Sequence, residues 1–353
     1  MFAKIVKISG AILVSLGLLL AIPSMSQATG VEKVFWVGGS DSSHLRIYSV
    51  DFTDYQGTPG AVTAVTGDAT AEYTGGALAS DATHLYFATN QIDGGWDLVR
   101  SDLAGGNQLV LARGIDEPQY IRVVDGVVYY TAWNLGLYSV PADGSAGLTH
   151  LFGPGHAAGL GQTMPNSGFG PFVFYNNKLY MDVHNYGSGY GLIQADWSGS
   201  QLSNATVVLP DGYLALNVTD MAVYSNGVAF GTSNDAGFYV APDPTTPVSG
   251  WIYTATTGNG NSSGIVSRLT FDSNWQTIYT TSTGYVYANG MFTWPETSTP
   301  ETAVNYGVTV VSNVVTPDNT GRTLANTGGG LGLAYLGLGL IVVGALATRF
   351  RKN

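Results

Sequence analysis

Five histidines and no cysteine limit the chemistry that this 353-residue chain can carry. Without cysteine there is no thiol nucleophile, no thiolate metal site and no disulfide staple. Asp182 and His184 stand two apart, so in a strand they point the same way, an arrangement open to acid–base work or a metal ion. A polar pair at a strand end is the commoner meaning. His150 and His156 are six apart with no helical periodicity to bring them onto one face, which speaks against a metal pair. Gly260-Asn261-Ser262-Ser263-Gly264 has the spelling of a nucleophile elbow, but that device needs a strand before it and a helix after it, and the flanks supply neither. No calcium-loop consensus is present. Calcium at loop Asp residues stays open, and no other cofactor is expected.

A second set of residues suits recognition better than catalysis. Asp41, Ser42 and His44, then Asn90, Asp93 and Trp96, then Trp133 and Asn134, then His184, Asn185, Tyr186 and Tyr190, and finally Asn234 and Asp235 alternate rings with short polar groups. Such rings stack on sugars or peptides while amides and carboxylates hydrogen-bond to them. The plainer account is that Trp and Tyr cover the core and Asn and Asp make turns. Everything depends on whether the fold gathers these segments on one surface.

The elements that would gather them recur along the chain. Six apolar, aromatic-rich segments repeat: 33–38 (KVFWVG), 85–90 (LYFATN), 127–133 (VVYYTAW), 178–184 (KLYMDVH), 227–233 (GVAFGTS) and 277–283 (TIYTTST). Aligned on Phe35, Tyr86, Tyr129, Tyr180, Ala229 and Tyr279, they are spaced 51, 43, 51, 49 and 50 residues apart. Before five of them stands a second apolar stretch and a turn signal: Asp81-Ala82-Thr83, Asp125-Gly126, Asn176-Asn177, Asn226-Gly227 and Asp272-Ser273-Asn274. After them come alternating segments such as 98–103 and 192–197, then a short fourth strand such as 108–111 or 206–209. Four antiparallel strands at a 40–50-residue period predict the blades of an all-β, six-bladed β-propeller.

Leu85-Tyr86-Phe87-Ala88-Thr89, Asp102-Leu103-Ala104-Gly105-Gly106-Asn107 and Val110-Leu111 resemble the blade pattern of the YWTD-type propellers of lipoprotein receptors and their bacterial relatives. The resemblance covers some 250 residues as a pattern and is sharpest in the second and third units. In such an architecture the loops joining second to third strands, and fourth strands to the next blade, share one face, which would collect the recognition residues named above. The hairpin turns between first and second strands lie on the opposite face.

The first apolar segment begins a blade at its second strand, so closing the ring requires a first strand from the far end, and 305–315 is the best candidate. Whether this segment or Met291 to Trp294 finishes the sixth blade stays open. The propeller is thus assigned to 29–315, with 316–323 as a Thr- and Pro-containing linker.

Both ends read as sorting information. Lys4 and Lys7, an apolar run from Ala11 to Ile22 and Ser26-Gln27-Ala28 predict a signal peptide over 1–28, cleaved before Thr29. Residues 331–347 form an uncharged stretch long enough for a transmembrane helix, with Arg349, Arg351 and Lys352 holding its end in the cytoplasm. Leu324-Ala325-Asn326-Thr327-Gly328 stands just before it. The order of pentapeptide, span and basic tail resembles the cell-wall sorting signal of sortase substrates, in its LAxTG rather than LPxTG form, and would occupy 324–353. The resemblance implies that a sortase attacks the Thr327 carbonyl and passes the acyl group to peptidoglycan, so that the membrane holds the chain only before sorting.

All 24 acidic residues but only eight of the 13 basic ones lie between these ends, a net charge of −16. Clustered Lys and Arg are what phosphate backbones require, so nucleic acid is excluded as a partner. The expected molecule is a secreted, wall-anchored surface protein whose repeats form a binding or adhesion module for an extracellular glycan or protein. The alternative is a propeller lyase or hydrolase with a divalent metal or a His at the axial funnel.

Overall fold

A computed structural model describes residues 32–39, 45–52, 63–66, 74–90, 94–153, 167–185, 191–199, 201–209, 218–225, 227–232, 237–255, 266–271, 277–281, 285–288, 292–295 and 304–312. The segments read above as a signal peptide (1–28), a linker (316–323) and a sorting signal (324–353) lie outside them.

The described strands form six four-stranded antiparallel sheets. The first contains β1 (Glu32–Gly39), β2 (Leu45–Phe52) and β3 (Thr63–Ala64). The second runs β4 (Thr74–Ser80), β5 (His84–Asn90), β6 (Trp96–Asp102) and β7 (Leu109–Ile115), and the third β8 (Pro118–Val124), β9 (Val127–Ala132), β10 (Gly136–Pro141) and β11 (Thr149–Phe152). The fourth runs β12 (Ser167–Tyr175), β13 (Lys178–Asn185), β14 (Leu192–Trp197) and β15 (Leu202–Leu209). The fifth comprises β16 (Val218–Tyr224), β17 (Gly227–Thr232), β18 (Gly237–Ala241) and β19 (Ile252–Ala255). The sixth comprises β20 (Val266–Phe271), β21 (Thr277–Thr281), β22 (Tyr285–Ala288) and β23 (Phe292–Pro295). A last strand, β24 (Val304–Ser312), returns to the first sheet and pairs antiparallel with β1, Glu32 facing Ser312 and Gly39 facing Val304. Phe292–Pro295 therefore ends the sixth sheet, and the later segment completes the first.

The sheets are held side by side by their flanks. Each apolar cluster joins two neighbours: Phe35, Ile47, Leu85 and Phe87 between the first and second sheets, Tyr86, Leu98, Ile121 and Tyr130 between the second and third. Tyr129, Phe152, Phe172 and Phe174 lie between the third and fourth, and Val173, Met221, Phe230 and Trp251 between the fourth and fifth. Phe238, Leu269 and Phe271 bridge the fifth and sixth, and Trp36, Ile278 and Val310 bridge the sixth back to the first. A second strand is thus buried on both faces, which is why β5, β9 and β17 read as unbroken apolar runs rather than alternating ones. Full burial of a Phe or Leu is worth about 1.5–3 kcal/mol, so these interfaces carry the stability that disulfides supply elsewhere.

First strands line the centre. They contact one another in the order β24, β4, β8, β12, β16, β20 and back to β24. Four-stranded sheets disposed radially around an axis by their first strands make a β-propeller.

Among the described residues the turns follow the sequence with one displacement, and Asp272-Ser273-Asn274 lies outside them. Asp125 (φ 50°) with Gly126 (φ 73°), and Asn176 (φ 50°) with Asn177 (φ 58°), take the left-handed angles of two-residue hairpins. The expected Asn226-Gly227 turn moves back by one residue: Tyr224 pairs with Gly227, and Ser225 carries the positive φ of 48°. Gly227 belongs to the strand because a Cβ there would lie 2.5 Å from the Ala241 carbonyl oxygen, so its missing side chain serves close packing rather than turning. A second feature recurs in the turns between third and fourth strands. Asp102 Oδ1 accepts the Ala104 and Gly106 N–H groups, Asp143 Oδ1 that of Ser145 and Asp243 Oδ1 that of Thr245. These hydrogen bonds hold the Asp102 and Asp143 carboxyls below the usual range: the Gly106 N–H leads at Asp102, and Ser145 leads at Asp143.

Candidate functional site

A first strand pairs on one side only, so six open strand edges face the axis. Backbone N–H and C=O groups on such edges need partners once water is scarce. At the end of the axis nearer the starts of β8, β16 and β20, side chains provide them. Arg122 donates from Nη1 to the Ile121 carbonyl (3.0 Å) and from Nη2 to the Met221 carbonyl (2.7 Å) and Asp220 Oδ1 (2.5 Å). Arg268 reaches across the ring to the carbonyls of Thr219 (3.3 Å) and Gln119 (3.2 Å), and Tyr120 Oη donates to the Thr219 carbonyl at 2.9 Å. The Asp220 carboxylate accepts the N–H groups of Met221 and Leu269, both at 2.9 Å. Thr219 Oγ1 donates to the Val266 carbonyl.

The result is a charged stopper across the axis. Arg268 lies 4.3 Å from the centre of the Tyr120 ring, a cation–π contact. Burial raises the pKa of the Tyr120 hydroxyl and the Arg268 guanidinium opposes that rise, while Asp220 and Asp182 reinforce it. Asp182, on β13, is 2% exposed and reaches inward because Gly170 on β12 has no side chain: a Cβ there would be 3.3 Å from Asp182 Oδ2. Arg122 and Asp220 form the direct ion pair of this group.

Beyond the stopper, toward the hairpin turns, a cavity of about 50 Å³ is lined by Ser80, Arg122, Thr270 and Thr309 among apolar side chains of all six inner strands. At roughly 10–15 Å³ of such volume per molecule, it has room for about three to five waters rather than a sugar ring. Ser80 Oγ and Thr309 Oγ1, 2.6 Å apart, tie β4 to β24 there.

Of the residues singled out in the sequence, few meet at the axis. Asn90 and Trp96 pair across β5 and β6, with Trp96 half-buried against the cluster of the second and third sheets. Trp133 and Asn134 form the β9–β10 turn, where the Trp133 ring covers Gly168 so closely that a Cβ there would be 2.5 Å away. Asn134 is exposed. All four lie on the face opposite the hairpin turns. His184 and Asn185 close β13 at that same face. Asp41, His44, Asp93, Tyr186, Tyr190, Asn234 and Asp235 lie outside the described residues, as do Ser262, His156 and Leu324 to Gly328. His150 is structural: its ring stacks on Tyr138 at 4.5 Å, and Nε2 sits 2.9 Å from the Leu135 carbonyl. Among the described residues no group of three His, Asp or Glu is placed to hold a metal ion.

Sequence reading missed the stopper except for Asp182. The stopper's signal is a charged residue inside an otherwise apolar first strand, as in YIRVV, VTDMAV and VSRLTF, but the partners on other strands are 49 to 149 residues apart.

No family model and no curated relative matches the chain. Solved structures do resemble it. A chain of a nidogen–laminin complex matches 79% of this chain and 98% of its own length, with a TM-score of 0.57 at 13% identity. The WD40 β-propeller domain of Doa1 matches 74% of this chain and 81% of its own, with a TM-score of 0.42 at 14% identity. Together with the radial sheets, the first of these likenesses defines the fold as a β-propeller.

Proposed function

We propose that this chain is an exported surface protein, anchored to the cell wall through Leu324-Ala325-Asn326-Thr327-Gly328, whose six sheets form a YWTD-type propeller acting as a binding or adhesion module for an extracellular glycan or protein. The observation that carries the binding reading is the stopper. Among the described groups of the axis, Arg122, Asp220, Arg268 and Tyr120 each bond to another or to a strand edge, with Asp182 buried beside them. A lyase or hydrolase working at the axial funnel would need such groups aimed at a substrate instead. The fold itself assigns no function. Contact through the loop face follows from Trp133 and Asn134, which stand at a turn on that side, with Asn90 and Trp96 beside them.

A glycan and peptide array probed with the secreted chain, with and without calcium, tests this reading. Saturable binding to one ligand class is expected. Cleavage of a polysaccharide without stable binding to any class would replace it with the enzyme reading.

A further inference from the structure

The two ends of the ring leave the propeller together. Glu32, the first residue of β1, faces Ser312, the last of β24. Glu32 also faces Phe52, where β2 ends toward the turns between third and fourth strands, and Ser80 beside the Asp81 turn bonds to Thr309 and the Val310 carbonyl. Residue 312 therefore exits on the hairpin face, next to the axis, and the loop face is at the opposite pole.

From 313 to the Thr327 carbonyl there are 15 residues. Fully extended they span about 50 Å. A folded unit of roughly 280 residues has a radius of gyration of about 19 Å, equivalent to a sphere of radius ~24 Å, so the surface path from one pole to the other is ~75 Å. A tether shorter than that path cannot let the opposite pole turn down onto the attachment point.

We propose that anchoring orients the propeller with its hairpin face toward the wall and its loop face outward. This rests on the anchoring reading above. The chain contains no cysteine, so one introduced thiol is a unique label site. Ala146→Cys, exposed in the β10–β11 turn, marks the hairpin face, and Asn134→Cys, exposed in the β9–β10 turn, marks the loop face. Both full-length variants are reacted with a bulky PEG-maleimide on intact cells and again after enzymatic release from the wall. The thiol of the Ala146→Cys variant is expected to react several-fold more slowly on cells than after release, and that of the Asn134→Cys variant at the same rate in both. Equal rates for both variants, or protection of the loop-face thiol alone, would overturn the orientation. Wall fractionation before labelling reports anchoring separately, so a chain never attached would refute that reading and be recognised as such.

Discussion

Replacing Asp220 with Ala strikes the stopper at its centre. Its carboxylate is 3% exposed and accepts three hydrogen bonds, from Arg122, Met221 N and Leu269 N. The variant leaves a guanidinium without its counter-charge and two N–H groups of adjacent inner strands without an acceptor. Removing one partner of a buried ion pair costs about 3–5 kcal/mol. Arg122 is 21% exposed, so water screens part of the loss and the lower end, ~3 kcal/mol, is the figure to expect. With an unfolding entropy of about 2.1 cal/mol/K per residue over roughly 280 residues, that lowers Tm by ~5 °C. Thermal unfolding followed by near-UV circular dichroism measures it. A cycle with Arg122→Ala should show that the double variant loses about 1–3 kcal/mol less than the sum of the singles, since each removes the same interaction. A Tm within about 1 °C of wild type, or strictly additive losses, would refute the stopper as a structural element.

Three further outcomes follow from the same features. Thr327→Ala should leave the protein in the membrane fraction, and finding it covalently bound to purified wall would refute the sorting reading. A chain ending at residue 300 loses β24, exposing the open edges of β1 and the flanks of β4 and β20; it should aggregate or melt well below wild type, and equal melting would show the strand to be dispensable. Alkaline stability should track the buried tyrosines: burial raises Tyr180 to about 12, and burial with the Asp81 hydrogen bond raises Tyr86 further. These groups stay protonated in the folded chain where the unfolded chain ionises, so their contribution is complete below about pH 10 and is lost as pH rises through the folded values. A Tm flat across that range would contradict it.

How much of this was legible in the sequence depended on burial. Second strands such as β5 and β9 are covered on both faces, so they repeat as unbroken apolar runs, and the period could be read from them alone. Fourth strands were harder because an outer strand such as β15 alternates loosely between buried and exposed positions. Asp125-Gly126 and Asn176-Asn177 announced their turns because left-handed angles favour those residues. Asn226-Gly227 misplaced its turn by one residue, because the glycine answers to the Ala241 carbonyl on the neighbouring strand and not to the chain's own bend. Of the stopper only Asp182 stood out in the sequence, and for a different role: Arg268 and Gln119 are brought together only when the ring forms. Trp133 and Asn134 do stand in a turn, with the Trp133 ring packed on Gly168, while His150 shows how a ring beside loops can belong entirely to packing.

The proposed binding function turns on whether the loop face holds a ligand. Binding of the purified chain to the glycan and peptide array, compared among wild type, Asn134→Ala with Asn90→Ala, and the hairpin-face control Ala146→Arg, tests this most directly. The loop-face pair is expected to lose the array signal at unchanged Tm while the control retains it. Loss in the control with the loop-face pair still binding would contradict that placement and move the ligand to the opposite pole.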